Sequence, residues 1–207
     1  MIKNLLFDLG GVIIDINRAD CVASYARLGL QKPDSFFGEF SQQGPFKALE
    51  SGDITPAEFH GIMRGYLPAG VTDAQIDTAF LDFLTGLPVH RLEALRELRR
   101  RFKVYMLSNT NAIMWNSKIA ELFRQQGGEM ADYFDDTVTS FEARALKPDP
   151  AIFNFAVEKL GIVPEETLFL DDSTDNLRAA GRLGFNTALV RPGDEFTAVI
   201  THYLKSL

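Results

Sequence analysis

Short, unbroken apolar runs recur along the chain at residues 5–7, 104–107, 137–139, 168–170 and 187–190. Apolarity without alternation is the pattern of strands covered on both faces, as in a parallel sheet sandwiched between helices. Between most of these runs the period becomes helical. Leu92, Leu95 and Leu98 share one face before the second run. Ile152, Phe153, Phe155, Ala156, Val157 and Leu160 fall in a segment closed by Gly161, and residues 174–183 form a shorter helix closed by Gly184. Strands alternating with helices predict a doubly wound α/β fold built on a Rossmann-like parallel sheet.

One stretch departs from this rhythm. Between the first apolar run and Leu92 the pattern predicts helices and no strand. Thr55, Pro56 and Glu58 read as an N-cap, a first-turn proline and a capping-box acid. Phe59, Ile62, Met63, Tyr66 and Leu67 follow at helical spacing. Thr72 with Gln75 opens the next helix, with Ile76, Phe80, Phe83 and Leu84 on its face, and residues 18–30 and 33–42 read as two more. Residues 16–88 are therefore expected to be a helical bundle inserted after the first strand, with residues 1–15 and 89–207 forming the core. The Met and Phe stripes of the insertion read as its own packing.

Composition narrows the partners. A chain of 207 residues, 46% hydrophobic and 24% charged, has the balance of a globular protein. A net charge of -7 argues against a nucleic-acid partner. The basic run Arg99, Arg100 and Arg101 closes a helix, where positive charge is favourable. Cys21 is the single cysteine, so no intrachain disulfide or multi-thiolate metal site can form, which suits a reducing compartment. Asp8 lies early in the first apolar run, where a signal peptide would need a longer one, and no stretch has the length of a membrane span. A cytoplasmic location is the expectation.

In an open parallel sheet, ligands bind beyond the carboxyl ends of the strands. Asp8, Gly10 and Gly11 follow the first run; Ser108, Asn109 and Thr110 the second; Lys147 and Pro148 come a little after the third; Asp171, Asp172 and Asn176 follow the fourth. Singly, each cluster can be a turn or a helix cap. Adjacent acids directly after an apolar strand are harder to assign to structure, because like charges resist burial unless a cation or protons compensate them. Together the clusters suit one task. Asp8, Asp171 and Asp172 supply hard oxygen ligands for magnesium. Lys147 opposes a phosphate dianion, and Ser108 with backbone N–H groups binds the transferring oxygens. Asp8 can act as a nucleophile that forms an acyl phosphate. Phosphate monoesters hydrolyse so slowly unaided that such combined help is needed.

The ordered set resembles the haloacid dehalogenase-like hydrolase superfamily. The match runs through residues 7–12, then 108–110, then Lys147 and Pro148, then Asp171, Asp172 and Asn176, with the insertion resembling that family's helical cap. The nearest likeness is to its sugar-phosphate phosphatases, bacterial glucose-1-phosphate phosphatases among them, and to the phosphatase half of soluble epoxide hydrolase. The resemblance implies Asp8 as nucleophile and Mg2+ ligand, a backbone carbonyl at Gly10 on the metal, and Asp172 as a direct ligand. It also implies Asp171 as ligand or support, Ser108 and Asn109 on phosphate, Lys147 balancing charge, and Asn176 steadying the loop.

Residue 10 departs from the family pattern. Its phosphatases carry there a second aspartate, the general acid and base, where this chain has Gly10. Such help is worth roughly 10²–10⁴-fold. Either the activity is weak, or the leaving group needs little help, as from a sugar 1-phosphate, or another group substitutes. Asp15 near the hinge is a candidate substitute, though a polar hinge residue is the plainer expectation. Arg18, Phe46, Lys47 and Arg64 are candidate cap contacts to substrate, Trp115 is expected to pack, and His60, His90 and His202 receive no role. The expected partner is a small phosphorylated metabolite, and the protein a monomer or dimer. The alternatives are a 2-haloacid dehalogenase, in which paired acids have no use, and an inactive binding or regulatory module, which Gly10 keeps open.

Overall fold

The computed structural model describes residues 1–38 and 42–206. In chain order the elements are β1 (Asn4–Phe7), β2 (Asp15–Ile16), α1 (Arg18–Arg27), α2 (Gly44–Glu50), α3 (Pro56–Met63), α4 (Asp73–Leu81), β3 (Leu84–Gly86) and α5 (Val89–Leu98). Then come β4 (Lys103–Ser108), α6 (Ala112–Met114), α7 (Ala120–Arg124), β5 (Asp136–Thr139), α8 (Ser140–Ala143), α9 (Pro150–Leu160), β6 (Thr167–Asp171), α10 (Thr174–Arg182), β7 (Asn186–Leu189) and α11 (Phe196–Lys205).

Five strands form one parallel sheet in the order β5-β4-β1-β6-β7. They are the five unbroken apolar runs. Strand β1 lies at the centre, with Leu5, Leu6 and Phe7 wholly buried, because both sheet faces are covered. Leu6, Leu107, Val138 and Phe169 point to one core with Ile152, Phe153 and Ala156 of α9. Leu5, Phe7, Met106 and Leu170 point to the other, with Leu92 and Leu95 of α5 and Phe196 and Ile200 of α11. Phe7 pairs with both Met106 and Leu170. Continuing that register by one residue sets Asp8 level with Asp171 on the neighbouring strand.

The insertion is mainly helical, as expected, and both capping boxes are formed, Thr55 with Glu58 and Thr72 with Gln75. Its centre is aromatic. The Phe46 ring lies 4.6 Å from Phe37, 5.0 Å from Phe80 and 5.1 Å from both Tyr25 and Phe59. The pairs with Tyr25, Phe59 and Phe80 are edge-on, an arrangement that adds stabilisation beyond the buried area.

Three local expectations need correction. The stretch expected to hold only helices contains β2 and β3, an antiparallel pair at the two ends of the insertion. Strands of two and three residues are too short to leave a periodic signal. The helix expected over residues 33–42 is a single 3₁₀ turn, Pro33–Phe36; Phe37 is extended and bridges Gln42, and residues 39–41 lie outside the described residues. Helices α2 and α11 were not expected. Neither has a side-chain N-cap bond, the local mark by which a short helix is recognised.

Candidate active site

The loops after β1, β4 and β6 meet at one edge of the sheet, and the insertion lies across them. Lys147 joins the clusters. Its Nζ lies 2.8 Å from Asp8 Oδ1 and donates to Asp171 Oδ2 at 2.7 Å, with its side chain 1% exposed. The buried Phe169 ring is centred 5.4 Å from the ammonium. Asn109 fixes the Lys147 backbone reciprocally: its amide donates to the Lys147 carbonyl at 3.0 Å, and its carbonyl accepts from the Lys147 N–H at 2.9 Å. Asn109 thus bears on the site through the lysine, while Ser108, at the end of β4, lines the cavity beside Asp8.

Asp171 is fully buried and fully engaged. Its Oδ1 accepts from the Ser173 N–H at 2.8 Å and from the Asn176 amide at 3.0 Å. Asp171 therefore orients the lysine and the loop, and Asn176 holds Asp171. Asp8 Oδ1 also accepts from the Leu9 N–H at 2.7 Å. One carboxylate oxygen from each of Asp8, Asp171 and Asp172 lies within 4.8 Å of the others. Three acids face one lysine, a formal excess of two negative charges in a buried site. A divalent cation with hard oxygen preference matches both the charge and the donor set.

The capping alternatives are removed by the structure. Asn111 caps the helix after β4, accepting from the Met114 N–H at 3.0 Å, so residues 108–110 are not its caps. Ser173 is the N-cap of α10, so neither Asp171 nor Asp172 caps that helix.

Two glycines follow Asp8 for different reasons. Gly11 has φ +78, and a Cβ there would overlap the Asp172 carboxylate. Gly11→Ala is expected to displace Asp172 and, on the ligand role that the resemblance implies for Asp172, to weaken Mg2+ binding by about 10–100-fold, the range seen when the support of a metal ligand is lost. Titration calorimetry with Mg2+ checks this, and unaltered affinity would contradict it. Gly10 has no such constraint: a Cβ there meets only Ile16, at 3.4 Å. The missing acid is not imposed by the backbone.

Electrostatics follow burial. The Asp8 carboxyl is pushed up to about 7 by burial and by the Asp171 and Asp172 charges, with Lys147 pulling it down. Burial alone would lower Lys147, but Asp171 and Asp8 hold it above its ordinary value.

The insertion contributes groups that the sequence reading missed. Gln42 and Glu50 line the same cavity as Asp8, Ser108, Lys147 and Asp172. Both are buried, and burial pushes the Glu50 carboxyl up to about 8. No local signal marked either residue, because the short helix that ends at Glu50 was itself not legible in the sequence. The unfolded chain releases this proton near 4.5 and the folded state near 8. Its contribution to stability is therefore complete below 4.5 and is lost as the pH rises through 8. Glu50→Gln should show a stability gain over wild type that grows between pH 5 and 8, reaching on the order of several kcal/mol at about 1.4 kcal/mol per pH unit. Urea unfolding at both pH values measures it; a constant difference would contradict it.

Other candidates fall outside the site. Asp15, half exposed, pairs with Arg91 at 2.8 Å, and Arg91 reaches Glu195 at 3.1 Å, so Asp15 is a hinge residue rather than a proton donor at the site. Arg18 donates to the Phe37 carbonyl, Arg64 pairs with Asp73, Lys47 is exposed, and Phe46 is the hub of the insertion's core. Trp115 packs against the core. His60 pairs with Asp77 and His90 with Glu195. Among the described residues, no helix is long and apolar enough to cross a membrane.

A doubly wound sheet with a helical insertion after its first strand, and an aspartate–lysine–aspartate cluster at its carboxyl edge, defines a hydrolase core of the haloacid dehalogenase-like type. The pattern of the haloacid dehalogenase-like hydrolase family matches residues 2–184, and the chain belongs to that family. It is 33% identical to D-ribitol-5-phosphate phosphatase from Bacteroides thetaiotaomicron, over all of both chains. Bifunctional epoxide hydrolase 2 of Rattus norvegicus is 28% identical, over 89% of this chain and 36% of that protein. The crystal structure of a HAD-family enzyme of Bacteroides thetaiotaomicron, an aspartate-to-alanine mutant in complex with magnesium and inorganic phosphate, superposes with a TM-score of 0.92. It is 38% identical and covers 97% of this chain and 99% of its own.

Proposed function

We propose that this protein is a magnesium-dependent phosphatase that hydrolyses a small phosphorylated polyol or sugar through an aspartyl-phosphate on Asp8. The observation that carries the reading is Lys147 set between Asp8 and Asp171 in the wall of the cavity, with Asp172 beside them. Full-length similarity to a D-ribitol-5-phosphate phosphatase supports it. The helical insertion, residues 16–88, is the cap over the core formed by residues 1–15 and 89–207, and the setting is cytoplasmic.

In this reading Asp8, the Gly10 carbonyl and Asp172 hold Mg2+, with Asp171 supporting the lysine and loop. The ion supplies positive charge to the phosphate oxygens when bound. Lys147 adds a fixed positive charge at 2.8 Å from the nucleophile. It also favours the ionised form of Asp8 that attacks phosphorus. Ser108 binds a phosphate oxygen, and Asn109 keeps the lysine in place. The dehalogenase alternative gives Asp172 no task beside Asp171, which orients the lysine in either reading, because a carboxylate displaces halide without a metal.

The test is a panel of phosphate esters, D-ribitol 5-phosphate and sugar 1-phosphates among them, incubated with Mg2+ or with EDTA, beside 2-chloropropionate. Phosphate release that requires Mg2+ is the expected result. Halide release without metal, or no turnover of any ester, would overturn the reading.

A further inference from the structure

We infer that Glu50, from the insertion, is the proton donor to the departing alcohol oxygen, filling the role that Gly10 cannot; this rests on the phosphatase reading above. Glu50 is 6% exposed and lines the same cavity as Asp8 and Lys147, and burial is the sole influence on its carboxyl, with no hydrogen bond or neighbouring charge acting on it among the described residues. A buried carboxyl without a partner is costly unless something else requires it.

Its position is fixed from the core. The buried Ser140 hydroxyl accepts from the Thr110 N–H at 3.0 Å and lies 2.6 Å from the Glu50 carbonyl and 2.9 Å from that of Thr110. With one proton to donate, it serves the nearer carbonyl. Ser140 thus ties the end of α2 to the loop that follows Ser108. Gln42 Oε1 and Thr110 Oγ1, on residues that line the same cavity, are buried without partners. An acceptor and a hydroxyl left free beside an acid suit a leaving group rich in hydroxyls.

Burial alone keeps the Glu50 proton to about pH 8, so the group enters the reaction as the acid. As the Asp8 carboxylate forms its bond to phosphorus, the ester P–O bond breaks and the leaving oxygen takes the Glu50 proton. The products are the alcohol, Asp8 acyl phosphate and a Glu50 carboxylate. In the second step water attacks phosphorus and gives its proton to Glu50. The bond from phosphorus to Asp8 breaks, inorganic phosphate leaves, and both side chains return to their starting states. A pentitol 5-phosphate leaves as an ordinary primary alcohol, which needs this help, whereas p-nitrophenolate does not.

The experiment is single-turnover alcohol release from D-ribitol 5-phosphate and from p-nitrophenyl phosphate, with Mg2+, for wild type, Glu50→Gln and Glu50→Asp. Glu50→Gln should slow the ribitol ester by on the order of 10²-fold or more and the nitrophenyl ester by less than about threefold. The retained nitrophenyl reaction reports an intact fold. Glu50→Asp keeps the acid but shortens its reach, and should show the same selectivity in smaller measure. Equal losses on both esters, or no loss, would overturn the inference and leave the phosphatase reading standing. Absence of wild-type turnover on both would remove the reading and the inference together.

Discussion

Asp8→Asn is expected to lower turnover of every phosphate ester by at least about 10⁴-fold, since loss of a covalent nucleophile removes a step that the other groups cannot supply. The loss should not come from unfolding. In wild type without metal, Asp8 must ionise among Asp171 and Asp172, and its carboxyl is held up to about 7 by burial and those neighbours. An unfolded aspartate loses its proton near 3.8, so the stability that Asp8 contributes is complete below 3.8 and is lost as the pH rises through 7. The neutral asparagine has no such loss. Metal-free Asp8→Asn should therefore melt at or above the wild-type temperature at pH 8, while its activity is abolished. Retained turnover would show that phosphorus is attacked by another group.

Lys147→Met is expected to have the opposite signature, losing both activity and stability. The lysine side chain is 1% exposed and meets Asp8 at 2.8 Å and Asp171 at 2.7 Å. Methionine fills much of the same volume but leaves two buried carboxylates without their cation. Removing one member of such a group costs about 3–5 kcal/mol. Chemical denaturation without Mg2+ should show that loss, and saturating Mg2+ should restore part of it, because binding to the folded state alone is stabilising. Activity should stay at least about 10²-fold down with Mg2+ present, since the fixed charge facing the phosphate is gone. A variant as stable and active as wild type would mean that the lysine is incidental.

These outcomes concern residues legible in the sequence, and the reason is geometric. Asp8, Ser108 and Asp171 each end or directly follow an unbroken apolar run, and parallel strands deliver their carboxyl ends to one edge. Lys147 was legible by its neighbours rather than by its own surroundings, since a lysine before a proline is usually a surface feature. Glu50 and Gln42 were not legible as site residues. They reach the cavity only because the insertion folds back across the strand ends, a tertiary event that Ser140 fixes from a distant segment. Asp15 shows the converse: proximity in sequence placed it near the site, but Arg91 turns its carboxylate toward α5 and α11. The short strands β2 and β3 escaped because two or three residues hold no period.

The central claim is that Asp8 carries the phosphoryl group in a reaction that needs magnesium. The most direct measurement is an acid quench during turnover of D-ribitol 5-phosphate, followed by mass analysis of the peptide containing Asp8. A phosphoryl group on Asp8, cleaved by hydroxylamine and formed only with Mg2+, is the predicted result. Steady release of phosphate with no phosphoryl group on Asp8, undiminished in Asp8→Asn or in EDTA, would contradict the account.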